Sequence, residues 1–95
     1  MTTLAHQAIE NTHLHYIFII AHARTRDYTD AKDAADNAAR TLTALAALLP
    51  STSPLFPEMR QLRSIIQAAQ QSLSRQQQPK DLGKGLDLIT TILEK

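Results

Sequence analysis

Cysteine and tryptophan are absent from the 95-residue chain, glycine occurs only twice, and aromatic residues make up 4%. Without a thiol there is no disulfide framework, no thiolate zinc site and no cysteine nucleophile. Neither sign of charge dominates, since ten Lys and Arg face nine Asp and Glu for a net +1. Such a balance supplies no strong field to draw in nucleic acid or an acidic membrane. Apolar runs stop at six residues, as in Tyr16 to Ala21, whereas a bilayer span takes roughly 20. No Lys or Arg precedes Arg24, and His, Gln, Glu and Asn interrupt the early apolar residues. The N-terminus therefore does not read as a secretory signal. The expected setting is cytoplasmic, with no membrane partner, and the length fits a single domain over residues 1–95.

The chain does contain helical periodicity. Four segments place apolar residues at i, i+3, i+4 and i+7, and turn or breaker residues separate them. This predicts an all-α, four-helix domain of two antiparallel hairpins, with helices at about 3–25, 29–49, 55–76 and 81–94. In the second segment Ala31, Ala34, Ala35, Ala38, Leu42 and Leu45 cover one face, and Lys32, Asp33, Asp36 and Arg40 the other. Its first half buries alanines, so a neighbouring helix can come close there; Thr29 or Asp30 is the expected cap. The third segment buries Met59, Leu62, Ile65, Ile66, Ala69 and Leu73, with Pro54 and Pro57 near its start. In the fourth, Leu82, Leu86, Ile89, Ile92 and Leu93 form the stripe, while Gly83 and Gly85 each weaken a helix by roughly 1 kcal/mol.

The first segment has two apolar faces. Leu4, Ala5, Ala8, Ile9, Tyr16, Ile19, Ile20 and Ala23 fall on one side. Leu14, Ile17, Phe18 and Ala21 fall on the other, themselves at helical spacing. A helix packed on one side needs only the first set. Leaving Leu, Ile and Phe in water forgoes roughly 1.5–3 kcal/mol each. Something is expected to cover that second stripe: the third or fourth helix, a second copy of the chain, or a partner's helix.

The junction of the first two segments, Arg26-Asp27-Tyr28-Thr29-Asp30-Ala31, resembles the Gly-Asp-Tyr-x-x-Ala turn of tetratricopeptide-type helical hairpins. Ala35, Ala38 and Ala39 then fall at the second helix's packing positions, and the likeness covers one unit, residues ~14–48. Arg26 stands where the family has glycine, Ala35 where it has a bulky residue, and His15 where a large aromatic starts the first helix. The chain offers two hairpins, whereas stacked repeats need about three units. Small secretion chaperones and adaptors are built from similar hairpins. The resemblance implies a protein that holds a client's amphipathic helix in a groove.

Several constellations carry side chains of chemically useful types. His6, Glu10 and His13 share one stripe and have donor types that suit Zn²⁺. Glu10 and His13 also match the Glu-x-x-His spacing of di-iron bundles, but neither Glu58 nor Glu94 is followed by a histidine three residues on. His22 lacks the Lys-Gly that follows a phosphotransfer histidine. No Ser or Thr lies in a glycine-flanked elbow, and Gly83-Lys84-Gly85 is too short to cradle a nucleotide. Arg60, Arg63 and Arg75 form a basic face with no aromatic between them for stacking, which makes a nucleic-acid-associated or inhibitory role the alternative. The first expectation is a non-enzymatic protein-interaction module without cofactor or metal. It would dock an amphipathic helix or a second copy on Leu14, Ile17, Phe18 and Ala21, with His13 and Arg24 supplying polar contacts and Phe56 an edge of the groove.

Overall fold

A computed structural model describes residues 3–94, which form four helices: α1 (Thr3–Arg24), α2 (Tyr28–Leu48), α3 (Phe56–Ser74) and α4 (Leu82–Glu94). Each lies within two residues of the expected bounds at either end. The chain is an all-α four-helix domain with the proportions of a bundle, 37 × 20 × 19 Å. α1 packs on α2, α2 on α3, α3 on α4 and α4 back on α1, while the backbones of the diagonal pairs stay apart. Asp36 meets Gln70 and Thr43 meets Arg63, a register that runs α2 and α3 antiparallel. No helix among the described residues is long and apolar enough to cross a membrane.

Both hairpins turn in the same way. After α1 the N–H of Asp27 bonds the His22 carbonyl (2.9 Å) and that of Arg26 the Ala23 carbonyl (3.1 Å). After α3 the N–H of Gln77 bonds Ser72 (2.9 Å) and that of Gln76 bonds Leu73 (3.0 Å). These are Schellman closures, and the residue they hold left-handed is Arg26 in one (φ 60°) and Gln76 in the other (φ 57°). The helix that follows the first turn is capped by Asp27, whose carboxylate accepts the Asp30 N–H at 3.4 Å. The expected caps, Thr29 and Asp30, lie inside the first turn of α2, because the left-handed residue ends α1 early enough for Asp27 to take the role.

The turns belong to a wider internal correspondence. Thr12, Tyr16, Ile19 and Ala23 of α1 are buried, as are Leu62, Ile66, Ala69 and Leu73 of α3, at a constant offset of fifty positions. The second connection is four residues longer, and beyond it Ala31, Ala35 and Ala38 of α2 correspond to Gly85, Ile89 and Ile92 of α4, again all buried. The two hairpins are thus pseudo-equivalent, so the α1/α4 seam has its counterpart in the α3/α2 seam.

Two core contacts revise the sequence reading. Thr12, a polar residue outside the expected core, is fully buried, and its hydroxyl meets that of Thr41 on α2 at 2.7 Å. Each hydroxyl also lies 2.9 Å from a carbonyl on its own helix, that of Ala8 or Ala38. Partners on both sides make this burial tolerable. Gly85 is the second case. Tyr16 is wholly enclosed and its hydroxyl donates to the Leu82 carbonyl at 2.6 Å. A Cβ on Gly85 would overlap that phenol. What reads in sequence as a weakness of α4 is the slot that admits Tyr16. Burial, with the Asp81 charge nearby, pushes the phenol's pKa well above its ordinary value. Leu4 is a correction of the opposite kind. The spacing sets it on the buried side, but it is 64% exposed, because it sits one residue, about 100°, round the helix from buried Ala5.

Gly85→Ala should destabilise the fold by about 1–3 kcal/mol through overpacking against Tyr16, whereas Gly83→Ala, with open space around it, should stabilise it by roughly 0.5–1 kcal/mol. Urea unfolding of the two variants checks the opposite signs. For Asp36, burial alone would raise the pKa, but hydrogen bonds from Lys32 and Gln70 and the charges of Lys32 and Arg40 outweigh that and hold the carboxyl below 3.8. Its contribution is therefore full above the ordinary carboxylate range and lost as pH falls through the lower folded-state value. In unfolding measured from pH 6 down to about pH 2, Asp36→Asn should flatten the acid limb of the stability curve.

Candidate functional site

The four stripe residues fall where the sequence spacing puts them, on the side of α1 opposite the core. Leu14 is 49% exposed, Ile17 39% and Phe18 43%, and Ala21 is exposed beside them. Among the described residues no helix lies over this face. α2 and α4 flank α1, and α3 lies across the bundle from it.

The internal correspondence supplies a control. The positions of α3 equivalent to Leu14, Ile17, Phe18 and Ala21 are Ser64, Gln67, Ala68 and Gln71. α3 therefore buries its core face in the same pattern while keeping a polar or small outer face. The bundle does not need an apolar outer face at this position.

The seams beside these helices differ in the same sense. Between α1 and α4 runs a cleft of about 550 Å³ lined by Ile17, Ile20, Ala21, Leu82, Gly83 and Leu86, with Arg24 at its end. Its counterpart between α3 and α2 is about 210 Å³, with Tyr28, Thr29, Lys32, Asp33, Ser74 and Gln76 among its lining. Ile17 and Ala21 belong to both the stripe and the apolar cleft, so the two form one continuous surface. On the far edge of the stripe Phe18 lies between two imidazoles, 6.4 Å from the His15 ring centre and 6.3 Å from that of His22.

Of the other expected contact residues, Arg24 reaches the cleft, and His13 is half-buried on α1. Phe56 does not join them. It opens α3, packs its inner edge on the core and lines a separate cleft with Ser51 and Arg60. Its proline-rich surroundings read as a groove edge, but the bundle's order sets α3 diagonal to α1. The residues that sequence reasoning missed are Leu82, Gly83 and Leu86. Their place beside Ile17 depends on the Tyr16–Gly85 contact, which no helical periodicity reveals.

The sequence's metal candidates are dispersed. His6 and Glu10 pair at 2.7 Å, yet His13 does not join them in a three-ligand group. Among the described residues such a group forms instead from His22, Asp27 and Asp30 at the α1–α2 turn, with donor atoms within 4.8 Å of one another. The Asp27 carboxylate is already the cap of α2, and a hydrogen bond with it is the main cause that raises the Asp30 pKa. The positive end of the α2 dipole opposes a cation there, so the group reads as a capping cluster. The basic residues of α3 are also spread out: Arg60 borders the Phe56 cleft, Arg63 donates to Thr43 at 3.2 Å, and Arg75 closes the far end of the helix.

Comparisons of the chain with protein-family models, with curated proteins and with solved structures give no match.

If the outer face is idle in folding, Phe18→Ala, which installs the residue of the α3 counterpart, should change stability by no more than about 0.5–1 kcal/mol. Its neighbour Ile19→Ala, in the core, should lose about 2–5 kcal/mol. Near-equal losses in denaturant unfolding would show that Phe18 belongs to the fold.

Proposed function

We propose that the chain is a non-enzymatic protein-interaction module of the small adaptor or chaperone type. It acts by burying an apolar helix surface, either a partner's amphipathic helix or a second copy of itself, against Leu14, Ile17, Phe18 and Ala21. His13 and Arg24 provide the polar contacts at the margin. The observation that carries this reading is the contrast between two equivalent helices. α1 exposes large apolar side chains where α3 exposes serine and glutamine. Exposed aliphatic and aromatic side chains clustered beside an apolar cleft are what a docking site requires.

The sequence of the α1–α2 turn, Arg26 to Ala31, resembles the tetratricopeptide type, and a helix-holding role is what that resemblance implies. A chain without cysteine is compatible with a cytoplasmic setting.

The test is to exchange the outer face of α1 for that of α3: Leu14→Ser, Ile17→Gln, Phe18→Ala and Ala21→Gln together. The exchanged chain should keep its helical circular dichroism and cooperative melting, and should lose the associations of the parent, read as solution mass and as retention of the protein that co-purifies from its native cells. A folded variant that keeps every association of the parent contradicts the proposal.

A further inference from the structure

We infer that the surface on α1 and α4 is occupied by a second copy of the chain, related by a two-fold axis that sets α1 antiparallel to its mate. This rests on the docking role proposed above and names the partner.

The stripe is symmetric in its spacing. Leu14, Ile17, Phe18 and Ala21 are separated by three, one and three residues, which reads the same from either end. A two-fold axis perpendicular to α1, at a height between Ile17 and Phe18, therefore returns the stripe onto itself. Ile17 meets Ile17, Phe18 meets Phe18, and the large Leu14 meets the small Ala21 of the copy. A closed two-fold interface requires this self-complementarity of one patch.

The charges select the antiparallel arrangement. Glu10, Ile17 and Arg24 stand seven residues apart on one line along α1, with an acid at one end, a base at the other and the apolar residue midway. Turning the copy end for end brings Glu10 to Arg24 of the second copy on both sides of the centre. A parallel copy would set Arg24 beside Arg24 and Glu10 beside Glu10. The centre of this line and that of the stripe differ by half a residue, about 0.8 Å along the helix.

The cleft lies at the same height. Tyr16 bonds the Leu82 carbonyl, which fixes the start of α4 level with the middle of the stripe. Leu82 and Leu86 line the cleft beside Ile17, with Arg24 at its end. The two-fold keeps the cleft side facing its equivalent, so the clefts of both copies close on each other and extend the contact beyond a single helix pair.

The experiment is sedimentation of the full chain over about three decades of concentration. The expected species is twice the 10.6 kDa chain mass. Glu10→Arg and Arg24→Glu should each weaken dimerisation about tenfold, and the double reversal should restore it, with circular dichroism showing that all three fold. Rescue is specific to the end-for-end arrangement. A 10.6 kDa species at every concentration, or a dimer that the double reversal fails to rescue, overturns the inference. If a monomeric parent nevertheless loses a natural partner when its stripe is exchanged for that of α3, the docking role survives and only the second copy is refuted. A dimer indifferent to the stripe exchange refutes the second copy as occupant, and if the exchanged chain also keeps every other association of the parent, both are refuted.

Discussion

The contact of Tyr16 with Gly85 is the one on which the rest of the arrangement depends. A helix as short as α4 has little surface with which to hold its place, and at Gly85 it has no side chain of its own to set against α1. The enclosed phenol, seated against a residue without a Cβ and bonded to the Leu82 carbonyl, fixes α4 on α1 in height and rotation. That closes the ring of four helices. It also sets Leu82 and Leu86 beside Ile17, so a contact inside the core determines the shape of the surface outside it. The connection is pinned as well. Gln78, between α3 and α4, donates to the Ala23 carbonyl at 2.8 Å and to the Tyr28 hydroxyl at 3.2 Å.

The pseudo-equivalence of the hairpins separates folding from function. Two helices that bury the same pattern of positions meet the same demands from the core, so the core does not account for the difference between their outer faces. Ser64, Gln67 and Gln71 are what such a face carries when it meets water. Leu14, Ile17 and Phe18 are what it would carry to meet another apolar surface, as proposed above. Retaining large hydrophobic side chains half in water lowers solubility.

Helical periodicity made much of this legible in advance. The alanine face of α2, the two-sided α1 and the four-helix layout all follow from residue spacing, because burial on a helix repeats every 3.6 residues. The remainder depends on where helices meet. Thr12 is polar in sequence and becomes a core residue only because Thr41 stands across from it. Gly85 reads as a defect until Tyr16 is seen to fill its place. Phe56 sits in a segment whose prolines suggest a groove edge, and the order of the helices around the bundle takes it elsewhere. The correspondence at fifty positions is hidden for a related reason. It matches burial, while pairs such as Thr12 with Leu62 or Tyr16 with Ile66 share neither size nor polarity.

The central claim is that the outer face of α1 is covered by association and not by its own chain. Methyl NMR in the presence of a soluble paramagnetic agent tests this most directly, with Leu4 and Leu48, both exposed and away from the stripe, as references. At dilution the methyls of Leu14 and Ile17 should relax as fast as those references. Once the chain is associated, they should become protected while Leu4 and Leu48 do not. Protection of Leu14 and Ile17 already complete in the dilute, isolated chain would contradict the account.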